Sequence, residues 1–355
     1  MEKPKLEAGV VHGQDYLDLI NWCKEARYAL PAVNVSSSST INAVLEAASK
    51  AKSDVIIQLS AGGSQFYAGQ GLADKETAKT LGAISAAEHV HRLAKAYGVC
   101  VILHTDHANR KLLPWVDSLI DASEAEYAKN GHPLFSSHMI DLSEEPIDDN
   151  LEECAKRLER LSAIGMSLEI ELGVTGGEED GVGSDDIDED KLYTNPEEVY
   201  QAQQRLGPLG HFTIAAAFGN VHGVYKPGNV MLKPEILQEA QKYAHERLGG
   251  EAKPYSFVFH GGSGSSQADF EKAINFGVVK VNIDTDTQFA YSKPIGDFVK
   301  SNPRAFEYQI DPDTDEPYKK KYDPRKSLRD AECGMAERVG VAFKAFGSAG
   351  QSLAA

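Results

Sequence analysis

Eight short runs of β-branched and aliphatic residues recur along the chain, each followed by a segment long enough for a helix. This alternation restricts the fold more than any other feature. The runs are 30–35 (LPAVNV), 54–60 (DVIIQLS), 99–105 (VCVILHT), 136–142 (SSHMIDL), 167–172 (SLEIEL), 212–218 (FTIAAAF), 256–260 (SFVFH) and 278–283 (VVKVNI). Helices are expected at 40–52, 76–97, 112–130, 150–164, 196–206, 233–248 and 267–276, with Asn195 and Ser266 as cap residues before the fifth and seventh. Eight strand–helix units of this kind close into an α/β fold, the parallel (β/α)8 TIM barrel, here with an N-terminal helix and a C-terminal helical extension. An open doubly wound sheet would carry its glycine fingerprint after the first strand. Here SSSST follows the first strand and the glycine-rich loop follows the seventh.

The chain of 355 residues is 42% hydrophobic, enough for a large core, and reads as a single barrel domain over 1–355. Two segments depart from the repeat: an acidic, glycine-rich stretch at 176–195, expected to be a mobile loop, and a C-terminal extension from about 301 to 355. A formal net charge of −17 opposes non-specific nucleic-acid binding. No segment offers the roughly 20 apolar residues of a membrane span, and no secretory leader is visible. The cysteines, Cys23, Cys100, Cys154 and Cys333, are widely spaced. They suit a reducing compartment, so a cytoplasmic location is expected.

A barrel enzyme places its chemistry at the C-terminal ends of its strands. Those ends carry Asn34, Ser60, His104, Asp106, His107, Asp141, Glu169, Glu171, Asn220, His222, His260, Asn282 and Asp284. Histidines at three strand ends, His107, His222 and His260, form a candidate zinc constellation with a coordination position left for substrate. Glu171 is an alternative ligand or a carboxylate behind one. The loop HGGSGSS at 260–266 follows the seventh strand and opens a helix, and NIDTDT at 282–287 follows the eighth. Loops seven and eight are the recurrent phosphate site of this fold, and backbone amides there receive an anion. In the acidic stretch, Asp186, Asp188, Asp190 and Glu197 match calcium-loop spacing, but Lys191 stands where that loop needs glycine, so the match is read as coincidence. Glu178 or Glu179 is a candidate general base carried over the barrel mouth.

The segments PAVN, HTDH, KLLPW, PLFSSHMIDLSEE, LEIELG, TGGEEDGV, FGNVHGVYKPGN, FVFHGGSGS and VVKVNIDTDTQ resemble the class II fructose-bisphosphate aldolases, in particular the class IIa branch, from about Asn34 to Arg325. The resemblance implies a zinc-dependent, reversible aldol cleavage of a sugar bisphosphate, a step of glycolysis and gluconeogenesis, in a dimeric enzyme. It implies metal binding by His107, His222 and His260, with Asp141 and Glu171 at alternative metal positions. Asp106 would handle the proton of the C4 hydroxyl, Glu179 would exchange the C3 proton, and Asn282 would contact the enediolate. Gly223, Gly261, Gly262, Ser263, Asp284 and Thr285 would surround one phosphate. A monovalent cation, Na+ or K+, would sit near Val221, Gly223 and Gly261. Asn34, Ser60 and Arg329 would reach the substrate body and the far phosphate, the arginine coming from the neighbouring subunit, with Arg325 competing for that role. The chain departs from the family at Ala108, where a cysteine is common; Ala108 is not a ligand position. Rival readings are a Schiff-base aldolase using Lys280, a metal-dependent hydrolase on the same barrel, a non-catalytic zinc protein, and an aldolase for tagatose bisphosphate, which differs from the fructose sugar at C4.

Overall fold

The computed structural model describes residues 2–173, 177–179, 182–184, 193–220, 232–262 and 265–355, with only the backbone given for 177–179 and 182–184. Eight parallel strands form the wall: β1 (Leu30–Asn34), β2 (Val55–Leu59), β3 (Cys100–Thr105), β4 (Ser137–Ile140), β5 (Ser167–Leu172), β6 (Phe212–Ala216), β7 (Phe257–Phe259) and β8 (Val278–Ile283). Each pairs with its neighbours in sequence. The sheet closes where Lys280, Val281, Asn282 and Ile283 of β8 align with Leu30, Pro31, Ala32 and Val33 of β1. The fold is therefore the expected TIM barrel, and the open-sheet alternative is excluded by this seam.

The helices follow the expected places. They are α1 (Gly13–Ala26), α2 (Ser38–Ala51), α3 (Ala61–Ala68), α4 (Lys75–Tyr97), α5 (Leu113–Asn130), α6 (Ile147–Ala163), α7 (Pro196–Leu206), α8 (Glu235–Leu248), α9 (Gln267–Asn275), α10 (Thr285–Ser301), α11 (Lys319–Tyr322) and α12 (Pro324–Ala345). Both expected caps operate. Asn195 Oδ1 accepts from Glu197 N at 2.9 Å, and Ser266 Oγ accepts from Asp269 N at 3.3 Å. Such bonds satisfy amides that a helix start otherwise leaves without partners. Three helices, α3, α10 and α11, lie outside the expected ranges. The α3 sequence AGGSQFYA has poor helix propensity. It persists because Ser60 caps it and because Gly82 of α4 lets the two backbones meet; a Cβ there would lie 1.7 Å from Ser64 O. The second, α10, tolerates Pro294 inside it.

The barrel floor is sealed by α1. Tyr16, Leu19, Ile20 and Cys23 pack on Leu30, Ala32, Ile56, Cys100 and Ile102 in a buried cluster. A short strand, Gly9–Val10, adds to the start of β3 where β4 has not yet begun. The outer faces of the strands pack on the helices in the main core. Of the expected loop at 176–195, Gly177–Glu179 and Val182–Ser184 pair as an antiparallel hairpin. Residues 174–176, 180–181 and 185–192 lie outside the described residues. Among the described residues, no helix is long and apolar enough to cross a membrane.

Candidate active site

Asp106 continues the sheet one residue beyond β3, its N–H donating to Leu59 O at 2.9 Å. That bond aims the side chain at the barrel axis, where it is 1% exposed. Asn34 Nδ2 of β1 donates to Asp106 Oδ2 at 2.8 Å, and Asn282 Nδ2 of β8 donates to Oδ1 at 3.4 Å. Gln58 Nε2 of β2 in turn donates to Asn34 Oδ1 at 2.5 Å, which fixes the amide that holds Asp106. Three strands thus hold one carboxylate, which among the described residues has no salt-bridge partner.

His107 leaves the strand and points toward β4 and β5. Its Nδ1 lies 3.0 Å from Asp141 Oδ2 and 3.5 Å from Glu171 Oε2. The other Asp141 oxygen accepts from Ser143 N and Oγ. Burial alone would raise the Asp141 carboxyl, but the His107 imidazole and the Ser143 donors outweigh it and hold it below the usual carboxylate range. On the far side, His260 Nε2 lies 2.8 Å from Glu169 Oε1. Burial, reinforced by His107, pushes His260 down to about 4, so its ring is neutral at pH 7.

An ionised carboxylate only accepts. Asp141 and Glu169 therefore each take an imidazole N–H, which turns His107 Nε2 and His260 Nδ1 to the inside. These two atoms face each other at 2.7 Å. A separation that short needs a shared proton or a cation beside the two nitrogens. The Glu171 carboxylate joins them, and ligand atoms of His107, Glu171 and His260 all lie within 4.8 Å of one another. Two imidazoles and a carboxylate suit zinc, and carboxylates bonded behind the histidines orient metal ligands in this way. The residues present fit a metal.

The glycine-rich loop after β7 is built for close approach. Gly261 adopts φ +63°, and a Cβ on Gly262 would meet Val281 Cγ1 at 2.6 Å. Asp284 precedes α10 and accepts from Gln288 Nε2 at 2.8 Å, and Thr285 is the first residue of that helix. Ser60 serves as the cap of α3. Arg329 of α12 makes a two-pronged pair with Glu46, at 2.6 and 2.9 Å, and also contacts Glu332. Arg325 pairs with Asp323. Val221, His222, Gly223 and Ser263 lie outside the described residues, and Glu179 is given as backbone only.

Of the polar residues that support the site, Glu169, Asn220 and Lys280 are singled out in the sequence without their partners, and Gln58 is not singled out. Glu169 and Lys280 form a buried ion pair, with Nζ 2.7 Å from Oε2 and 3.0 Å from Oε1. Gln58 supports Asn34. Asn220 Nδ2 donates to His260 O at 3.0 Å. The two-residue alternation of a strand was the available signal: Glu169 lies one step below Glu171, and Lys280 one step below Asn282. His104 is interior as expected, with Nδ1 2.8 Å from Ser137 Oγ.

A closed barrel that gathers histidines, carboxylates and amides at the C-terminal ends of its strands is a barrel enzyme with a metal-type centre. The family model for fructose-bisphosphate aldolase class-II matches residues 14–351. The chain is 52% identical over 346 residues to the fructose-bisphosphate aldolase of Haemophilus influenzae, covering 96% of each chain. It is 50% identical over 344 residues to the class 2 fructose-bisphosphate aldolase of Escherichia coli K12, again covering 96% of each. The crystal structure of the Campylobacter jejuni fructose-bisphosphate aldolase superposes with a TM-score of 0.89 at 50% identity, covering 98% of both chains. The chain belongs to the class II fructose-bisphosphate aldolase family and is a lyase.

Proposed function

We propose that the protein cleaves D-fructose 1,6-bisphosphate reversibly into dihydroxyacetone phosphate and D-glyceraldehyde 3-phosphate, with zinc as its metal. The observation that carries this reading is the pair of carboxylate-backed histidines whose inner nitrogens converge beside Glu171. His107 and His260, with His222, hold the ion, and Glu171 and Asp141 offer alternative positions. When bound, the metal supplies Lewis-acid stabilisation of the negative charge that develops at the ketone end of the substrate. Asp106 removes the proton of the C4 hydroxyl as the C3–C4 bond breaks, and the amides of Asn34 and Asn282 hold its carboxylate in place. Glu179 exchanges the proton at C3. Asn282 also steadies the developing oxyanion. Acid and base thus act at adjacent carbons from separate carboxylates.

Gly223, Gly261, Gly262, Ser263, Asp284 and Thr285 receive one phosphate, with Na+ or K+ beside Val221, Gly223 and Gly261. Ser60 contacts the substrate body, and Arg329 of a neighbouring subunit reaches the second phosphate in a homodimer. The protein functions as a single barrel domain over 1–355, in the cytoplasm, in glycolysis and gluconeogenesis. The Schiff-base reading is not favoured, because the Lys280 ammonium is bonded to Glu169. A coupled cleavage assay with fructose and tagatose bisphosphates, with and without chelator, tests the proposal. Activity on the fructose sugar that disappears with EDTA and returns with zinc is expected. Preference for the tagatose sugar, or chelator-resistant activity trapped by borohydride, would overturn it.

A further inference from the structure

We infer that Glu169 is a positioning residue that sets the tautomer of His260, and with it the affinity of the site for its metal; this rests on the metal reading of His107, Glu171 and His260. Glu169 projects from β5 one layer below Glu171 and is 2% exposed. Its carboxylate serves three groups from three strands: Lys280 Nζ of β8, His260 Nε2 beyond β7, and His104 Nε2 of β3 at 3.3 Å.

An isolated neutral imidazole carries its proton on either nitrogen. Beside Glu169 only one arrangement works, because a lone pair on Nε2 would face the carboxylate at 2.8 Å. The proton therefore stays on Nε2, and Nδ1 presents its lone pair toward His107. The opposite tautomer would aim an N–H at the centre and could not ligate. Lys280 supplies the opposite charge that a buried carboxylate needs. It reaches the interior through a register irregularity: Phe257 aligns with Val278 but Val258 aligns with Lys280, so Val279 is the extra residue and both it and Lys280 face inward. Beneath the pair is a cavity of about 10 Å³, lined in part by Tyr16, His104, Ser137 and Thr213. That is about the room of a single water and not of a solvent channel. The Nε2 proton of His260 is held by Glu169 and not by bulk water.

The test uses the full chain as wild type, Glu169→Gln and Glu169→Gln/Lys280→Met, the last removing the ammonium that the single variant leaves buried without its carboxylate. Two quantities are read: the His260 ring tautomer by 15N-correlated NMR of the metal-free protein, and the zinc dissociation constant by chelator competition. The wild type should show the Nε2–H form. A glutamine amide can donate to Nε2 as well as accept from it, so both variants should show a mixture in place of the pure Nε2–H form and bind zinc about 10- to 100-fold more weakly. The double variant should regain thermal stability without regaining zinc affinity. If the double variant recovers wild-type affinity, or if the tautomer is unchanged in either variant, Glu169 is only a charge partner and the inference fails. Should the wild type bind no zinc, the metal reading falls, while the NMR comparison still decides the role of Glu169.

Discussion

Carboxylates are buried at both ends of this barrel, and they do different work. At the floor, Asp54 precedes β2 and is 1% exposed. It accepts from Ser352 Oγ at 2.8 Å, Leu353 N at 2.7 Å and Cys100 N at 3.3 Å. The donors are a hydroxyl and backbone amides, and the bonds tie the C-terminal tail across the floor. At the mouth, Asp141 and Glu169 each lie against one ring nitrogen of His107 and His260, and the second ring nitrogens of those histidines face each other beside Glu171. Burial or charge alone does not separate the two ends. The direction of the partner's remaining lone pair does.

The strongest test removes Asp106. Asp106→Ala should lower turnover about 100- to 10,000-fold, the range for a general acid or base, with zinc content near wild type. Unaltered turnover would break the assignment. At the floor, Asp54→Ala strands buried donors from the tail and from Cys100, and a loss of about 3 kcal/mol is expected, read by urea denaturation. Turnover per folded molecule should be unchanged. A fall in turnover with intact stability would erase the distinction between the ends.

Why one end was readable in advance and the other was not follows from chain geometry. His107, His260 and Glu171 sit where apolar runs stop, so a barrel reading brings them together. Strand alternation places Glu169 and Lys280 in the interior, but their pairing joins residues 111 apart in sequence and depends on barrel closure, which leaves no local pattern. Asp54 is held by a tail that carries no motif. The strand run at 136–142 contracts to Ser137–Ile140 because the Asp141 N–H turns to Ala108 O. Two strands match their runs residue for residue, 167–172 and 278–283. The glycine-containing α3 was hidden because its stability comes from Ser60 and from contact with α4, which propensity does not record.

Acid sharpens the comparison by loading histidines that the fold keeps neutral. His138 of β4 is fully buried, hydrogen-bonded to Thr105 Oγ1 at 2.8 Å, and burial with the nearby His104 pushes it down to about 3. The unfolded chain protonates this group below about pH 6.5, and the folded protein does not until about pH 3. Its stabilising contribution is therefore complete above pH 6.5 and is lost as the pH falls from there toward 3. The loss is about 1.4 kcal/mol per pH unit. His138→Gln should shrink the stability difference between pH 7 and pH 5 by about 2 kcal/mol. An unchanged difference would place the acid sensitivity elsewhere.

The smallest effect is the most pointed. Ser352 Oγ donates to Asp54 Oδ1 and accepts from Ala354 N at 3.1 Å. Ser352→Ala removes one of three donors from Asp54 and leaves the two backbone amides, which position the tail without it. A loss of about 1 kcal/mol is expected, seen as a drop in Tm of no more than about 2–4 °C. Zinc affinity and turnover should not move, because the apolar cluster of Ile20, Leu30, Ile56 and Ile102 lies above Asp54 and offers no hydrogen bond through which the change could pass. A drop in turnover from this single hydroxyl would mean that the floor communicates with the mouth through packing, and the two ends would have to be read as one coupled structure.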